Sequence, residues 1–129
     1  MKRDYSIKSL ISIFVFVFVI IILFSFVDYL AHSANIKWAV PDYYFPHKII
    51  YGTVIGFITY LFIKKQKPLI KSLIFSAAIS ILLQINYYFQ GYPKEFVFLF
   101  LGIHFIILFI LSFIAFRLLE IKKLFSKKL

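Results

Sequence analysis

The sequence predicts an all-α integral membrane protein, a four-helix up-down bundle with both termini in the cytoplasm. Hydrophobic residues make up 63% of the 129 residues, which is too many for a soluble domain to cover with polar surface. Four apolar runs approach or exceed the roughly 20 residues that a helix needs to cross a hydrocarbon core about 30 Å thick. The basic residues flank these runs, as membrane anchoring predicts.

The first predicted span, residues 9–31, follows a basic amino end and carries no charged residue before Asp28. Small residues that would suit signal-peptide cleavage occur at Ala31-His32-Ser33-Ala34. The apolar stretch is nevertheless longer than the about 7 to 15 residues of a signal peptide's hydrophobic region. We therefore expect an uncleaved anchor.

The second predicted span, residues 46–64, has the shortest apolar stretch, because Lys48 and Lys64 stand near its two ends. Pro46 suits the first turn of a helix, where its missing N–H is not needed. We expect both lysines to extend outward toward the interface and the helix to lie in locally thinned bilayer.

The third and fourth predicted spans, residues 69–90 and 95–117, are separated by only a few residues. Gly91 and Pro93 break the helical pattern there, so the two helices should form an antiparallel hairpin. The chain is interpreted as a single transmembrane domain, 1–129, that ends in a basic tail, 118–129.

Orientation follows from the distribution of basic residues. Twelve of the fifteen Lys and Arg residues lie at the amino end, in the second loop or in the tail, against Lys37, Lys48 and Lys94 on the other side. The positive-inside rule then predicts cytoplasmic termini. We expect a multi-pass protein of a prokaryotic cell membrane.

The tail alternates apolar residues with lysines, which is typical of a segment that lies along anionic lipid. A solvated end of the fourth helix is the alternative. The lysines expected to contact anionic lipid are Lys122, Lys123, Lys127 and Lys128. The bilayer, a membrane protein or a second copy of the chain are the expected partners, and nucleic acid is not, because the charges flank membrane spans.

Helix packing is predicted around Gly52 and Gly56, a GxxxG pattern that Thr59 extends on the same face. The third span offers a matching stripe of small residues that includes Ser76 and Ser80. We expect this stripe to face the glycine groove and form interhelical hydrogen bonds. Packing within one chain is favoured over homodimerisation.

Candidate functional residues cluster toward the outer side of the membrane once the antiparallel order is imposed. Asp28, His47 and His104 are the candidates for chemistry, since carboxylates and imidazoles within membrane spans usually face the bundle interior. The side chains expected to orient a ligand are Gln84, Tyr51 and His32. The alternative is a structural role: contact of Asp28 with water, Lys37 or His32 at a helix end, and a hydrogen bond between His104 and a backbone carbonyl group, Tyr51 or Gln84.

Two functional hypotheses follow. The simpler is a non-enzymatic accessory or helix-packing module, which we favour over an enzyme because it requires the fewest special residues. The absence of cysteine excludes thiol chemistry, and the spacing of the candidate residues matches no compact ligand motif. The alternative is a membrane enzyme or a metal-coupled or proton-coupled carrier. No cofactor is predicted; under the alternative a divalent metal such as zinc would be held by Asp28, His32, His47 and His104.

Overall fold

The computed structural model describes residues 6–128 of the chain, with side chains described as far as residue 122. The helices are α1 (Ile7–Ser33), α2 (Tyr44–Ile63), α3 (Pro68–Phe89) and α4 (Lys94–Lys128), with a short 3₁₀ helix (Ile36–Trp38) in the connection between α1 and α2. All four α-helices are long and apolar enough to cross a membrane. The prediction of an all-helical fold with four candidate spans is confirmed.

Local sequence explains where these helices begin and end. The side chain of Ser6 accepts a hydrogen bond from the backbone N–H of Ser9 and caps α1. Pro46 lies in the first turn of α2 and Pro68 opens α3, positions where a helix does not use the missing N–H. Gly91 has a φ of +95°, which a residue with a side chain rarely adopts, and it follows the end of α3.

The fourth helix is longer than the predicted span. Its backbone remains helical as far as Lys128 and so includes most of the segment 118–129 that was interpreted as a tail. The side chain of Lys122 is exposed. Those of Lys123, Lys127 and Lys128, also expected to contact anionic lipid, lie outside the described side chains.

Neighbouring helices run antiparallel, and contacts between distant residues demonstrate this. Near the start of α3, Lys71 lies beside Phe116 of late α4. Near the end of α3, Gln84 bonds Val97 of early α4. The packed pairs are α1 with α2, α2 with α3, α3 with α4, and α4 with α1, so the four helices form a closed ring around a common core.

The outer surface of this ring is strongly apolar. Large side chains such as Phe62 and Phe89 are 85% and 80% exposed, and similar residues project from all four helices. A soluble protein rarely exposes so much contiguous apolar surface, whereas lipid-facing helices require it. The surface is therefore compatible with a multi-pass membrane protein.

The glycine pair of α2 makes a close approach to its neighbours. A Cβ atom at Gly52 would lie 3.3 Å from Ile21 of α1. One at Gly56 would lie 2.9 Å from Val17 of α1 and 3.1 Å from Phe75 of α3. The groove thus receives apolar side chains from two helices, and α1 supplies the nearest atom at both positions.

Among the described residues, the serines of the α3 stripe bond their own helix and not a neighbouring one, contrary to the sequence prediction. The Ser76 hydroxyl donates to the carbonyl oxygen of Ser72, and the Ser80 hydroxyl donates to that of Ser76, both at 2.6 Å. Each serine is buried and bonds its own helix, four residues back. Thr59, predicted to continue the glycine face, is only half-buried.

Candidate functional site

Four ionisable side chains meet inside the bundle near the α1–α2 connection, and we call them the ionic centre: Asp28, His32, Lys48 and His104. Asp28 and His32 come from the last turns of α1, Lys48 from the second turn of α2, and His104 from the third turn of α4. Asp28, Lys48 and His104 are fully buried, and His32 is 3% exposed. Three helices thus contribute to one enclosed cluster.

Asp28 is the hub of the ionic centre. The Lys48 ammonium donates a hydrogen bond to its Oδ2 and lies 3.1 Å from Nε2 of His104. His104 Nε2 is also 3.1 Å from Asp28 Oδ1, and His32 Nε2 is 3.2 Å from Asp28 Oδ2. Neither of these imidazole–carboxylate contacts is aligned as a hydrogen bond, and each becomes an ion pair only when the imidazole is protonated. The carboxylate therefore has all three basic groups around it.

Aromatic rings enclose the ionic centre and keep water away from it. The His32 ring stacks on Phe100 with a centroid separation of 4.0 Å and an interplanar angle of 4°. Phe24 packs edge-on against His104, and the Lys48 nitrogen lies 4.3 Å from the Tyr44 ring centroid. In such an apolar shell a charge is stable only when it is paired, and the rings also hold the partners in place.

His32 links the ionic centre to the α1–α2 connection. Its Nδ1 lies 2.7 Å from the carbonyl oxygen of Trp38, and since a carbonyl only accepts, Nδ1 carries the proton of this hydrogen bond. A neutral ring would then place the Nε2 lone pair 3.2 Å from Asp28 Oδ2, where two acceptors repel. A proton on either side chain removes this repulsion. The Nδ1 hydrogen bond to Trp38 therefore leaves Nε2 as the ring nitrogen that faces the Asp28 carboxylate.

Three of the four predicted metal ligands come together. One ligand atom each from Asp28, His32 and His104 lies within 4.8 Å of the other two. Lys48, however, touches both Asp28 and His104, so its ammonium occupies the position between them. A divalent cation would have to displace or deprotonate this lysine, because two cations bound to the same carboxylate repel each other at short distance. The donor set therefore fits the ammonium of Lys48 better than a metal ion.

The fourth predicted ligand, His47, lies elsewhere. Its exposed ring packs near Tyr43 and Tyr51, with centroid separations of 5.4 and 6.0 Å. Tyr51 is itself 48% exposed. His47 lines an open surface cavity of about 500 Å³ together with residues of the α3–α4 turn such as Gln90 and Tyr92. The structure thus separates His47 and Tyr51 from the ionic centre.

Gln84 is buried, and its side chain links α3 to α4 by a hydrogen bond. Its amide nitrogen donates a 2.7 Å hydrogen bond to the carbonyl oxygen of Val97. Its Oε1 has no hydrogen-bond partner among the residues that the structure describes. Gln84 therefore stabilises the α3–α4 hairpin, and none of its described hydrogen bonds reaches the ionic centre.

Lys48 is the member of the ionic centre that sequence reasoning missed. Its ammonium was expected to extend outward, but the side chain points into the bundle and is completely buried. A signal was present: Lys48, Gly52 and Gly56 are spaced four residues apart and share one helical face. Because the glycines must face a packed neighbour, Lys48 had to face inward with them. The same spacing places His47 on a different face, about 100° away.

The chemistry available to the ionic centre is binding or release of a proton and fixation of helices by charge. A small cavity of about 150 Å³ lies beside His32 on the surface of the α1–α2 connection, and Tyr29, Val40 and Phe45 are among its lining residues. Of five cavities in the part of the chain that the structure describes, none is lined by Asp28, Lys48 or His104. Comparisons with protein-family models, curated proteins and solved structures give no match to this chain.

Proposed function

We propose that this chain is a non-enzymatic membrane module in which the ionic centre holds the outer halves of α1, α2 and α4 in one arrangement. The observation that carries the proposal is the mutual pairing of Asp28 and Lys48 at full burial, with His104 in contact with both. These groups occupy each other's binding positions. A fixed bundle of this kind suits an accessory subunit or an interaction partner.

The proposal includes the setting of the module. The chain lies in a prokaryotic cell membrane with both termini cytoplasmic, as the bias of basic residues favours. The lysines at the end of α4, from Lys122 onward, contact anionic lipid, and the apolar outer surface receives a membrane protein partner or a second copy. The four apolar helices support a membrane location.

The energetics of the ionic centre predict a specific pattern of stability. Removal of one partner from a buried ion pair costs about 3–5 kcal/mol, because the other charge is left without compensation. Neutral side chains at both positions cost much less, since no charge is left buried. The charge of Asp28 should therefore matter only while Lys48 is present.

A double-mutant cycle tests this. We expect Asp28→Asn and Lys48→Met each to lower the free energy of unfolding by about 3 kcal/mol or more, and the double variant to lower it by no more than about 2 kcal/mol. The measurement is unfolding in SDS titrations of protein in mixed micelles. Lys37→Met with Asp42→Asn, two exposed residues, should be additive within about 0.5 kcal/mol. A double variant as unstable as the sum of its singles would contradict the proposal.

One observation favours a second candidate, a proton-coupled carrier. Asp28, His32 and His104 form a continuous set of proton-binding groups, and His32 borders the small surface cavity. Carboxylates and imidazoles in contact within a membrane are typical of proton relays. A carrier would need this set to exchange its proton with one side of the membrane.

The same variants separate the two candidates. In vesicles with an imposed pH gradient, a structural module transmits protons no faster than empty vesicles. A carrier raises the flux, and Asp28→Asn/Lys48→Met, expected to remain folded, abolishes the increase. A proton flux that depends on Asp28 in folded protein would replace the structural proposal by the carrier.

A further inference from the structure

Two opposite charges line one small cavity between the α1–α2 connection and the start of α4. The cavity has a volume of about 230 Å³. Its lining residues are Lys37, Trp38, Pro93, Glu95, Phe96 and Leu99. One ammonium, one carboxylate and several apolar side chains therefore face the same space.

Both charged side chains of this cavity are available to a ligand. Lys37 and Glu95 are exposed, and neither takes part in an ion pair within 4.0 Å among the residues that the structure describes. The ammonium and the carboxylate therefore do not neutralise each other. A ligand that carries both charges can pair with the two at once, whereas a simple anion or cation would meet one attractive and one repulsive group.

The connection that carries Lys37 is fixed against the helices. The side chain of Asn35 accepts a hydrogen bond from the backbone N–H of Lys37, and the carbonyl oxygen of Trp38 accepts one from His32. The Trp38 indole packs edge-on against Phe100 of α4, with a centroid separation of 5.6 Å. The backbone beside Lys37 is thus placed relative to α4 before a ligand binds, which lowers the entropic cost of binding.

The polar and apolar parts of the cavity lie at different depths. Glu95 and Leu99 are four residues apart on one face of α4, so Leu99 lies about 6 Å further along the helix. Phe96, which is only 9% exposed, adds to the apolar wall. Trp38 is half-buried, and tryptophan is the residue type that favours the level of lipid headgroups. Charge at the helix end with apolar surface below it matches the order of headgroup and acyl chain in a lipid.

We propose that this cavity binds the zwitterionic headgroup of phosphatidylethanolamine. The Lys37 ammonium pairs with the lipid phosphate, and the Glu95 carboxylate accepts hydrogen bonds from the ethanolamine ammonium. Leu99 and Phe96 contact the glycerol and the first acyl carbons. The proposal goes beyond the role of the ionic centre and does not depend on it; of the proposed function it uses only the membrane location.

The test uses the full-length chain in detergent, with native mass spectrometry to compare the binding of three lipids that have identical acyl chains. We expect phosphatidylethanolamine to bind about fivefold more tightly than phosphatidylcholine, whose trimethylammonium group has no N–H to donate to Glu95. It should also bind about fivefold more tightly than phosphatidylglycerol, which has no cation. Fivefold corresponds to about 1 kcal/mol, the contribution of one charged side chain near a lipid surface.

Two variants separate the roles of the two charges. Glu95→Gln should weaken the binding of phosphatidylethanolamine about fivefold and leave phosphatidylglycerol bound at least as tightly, because only the first lipid has an ammonium. Lys37→Met should weaken both lipids about fivefold, because both have a phosphate. Both residues are exposed, so their replacement leaves the fold intact.

Lys94→Met and Asp42→Asn are the matched controls. They remove one charge of each sign at exposed positions near the same end of the bundle, outside the cavity lining. Each should leave the affinity for phosphatidylethanolamine within about twofold of wild type. Losses as large as those of Lys37→Met and Glu95→Gln would overturn the proposal, as would equal binding of phosphatidylethanolamine and phosphatidylglycerol to the wild type.

Free phosphoethanolamine and a Leu99→Ser variant distinguish the whole lipid from its headgroup. If the ligand is the lipid, Leu99→Ser weakens the binding of phosphatidylethanolamine and leaves that of phosphoethanolamine unchanged. If phosphoethanolamine binds as tightly as the lipid and Leu99→Ser affects neither, the free zwitterion is a sufficient ligand. Both results support recognition of the zwitterion provided that they depend on Lys37 and Glu95, and binding that is independent of these two residues contradicts it.

Discussion

The closest packing in the bundle predicts a large effect of a single methyl group. In Gly56→Ala the new Cβ would lie 2.9 Å from Val17 Cγ1, 3.1 Å from Phe75 Cε1 and 3.2 Å from Ile79 Cδ1. Carbon atoms prefer separations of about 3.5–4.0 Å, so all three contacts are too short by several tenths of an ångström. All three neighbours are fully buried and cannot rotate into free space.

The expected loss follows from where those neighbours lie. Because Val17 belongs to α1 while Phe75 and Ile79 belong to α3, relief of the overlap requires two helices to move away from α2. Insertion of a methyl group into a well-packed core costs about 1–3 kcal/mol, and we expect Gly56→Ala to fall in the upper half of this range. Gly52→Ala, whose nearest contact is 3.3 Å, should cost less.

Gly102→Ala is the matched control, because a Cβ at this position meets nothing within 4 Å. It should stabilise the protein by up to about 1 kcal/mol, since alanine favours a helix more than glycine does. The assay is SDS-induced unfolding followed by the fluorescence of Trp38, the single tryptophan, which packs edge-on against Phe100. If Gly56→Ala proves as stable as Gly102→Ala, α2 does not pack through its glycines as described.

Two further predictions use the same assay. Gln84→Leu removes the hydrogen bond to Val97 and should lower the free energy of unfolding by about 0.6 kcal/mol, and by at most about 1.7 kcal/mol, which is the range of such bonds within membranes. The control, Gln90→Leu at an exposed position, should change it by less than about 0.5 kcal/mol. Equal losses would argue against an interhelical role for Gln84. His104→Leu removes a buried contact to a charged pair and should lower the free energy of unfolding by about 2 kcal/mol. The control, His47→Leu at an exposed position, should have little effect on stability. The reverse order would contradict the assignment of His104 to the ionic centre.

Hydropathy along the chain was sufficient to locate the helices. The predicted span 9–31 compares with Ile7–Ser33, and 69–90 compares with Pro68–Phe89. Membrane-spanning length is a local property, because every backbone group in lipid must be bonded within its own helix. The predicted end of the fourth span, residue 117, differs from the end of α4, Lys128. Apolar content falls after residue 117, but the backbone hydrogen bonds of a helix do not require apolar side chains, so the helix continues.

Residue type alone pointed to Asp28, His32 and His104, since ionisable groups are rare in apolar spans. Hydropathy did not distinguish Lys48 from His47, because both stand at the start of the same helix. Adjacent residues of a helix point about 100° apart, so at most one of the two can face the core. That choice depends on the rotation of α2 about its axis, and the rotation is set by the contacts of Gly52 and Gly56 with the neighbouring helices.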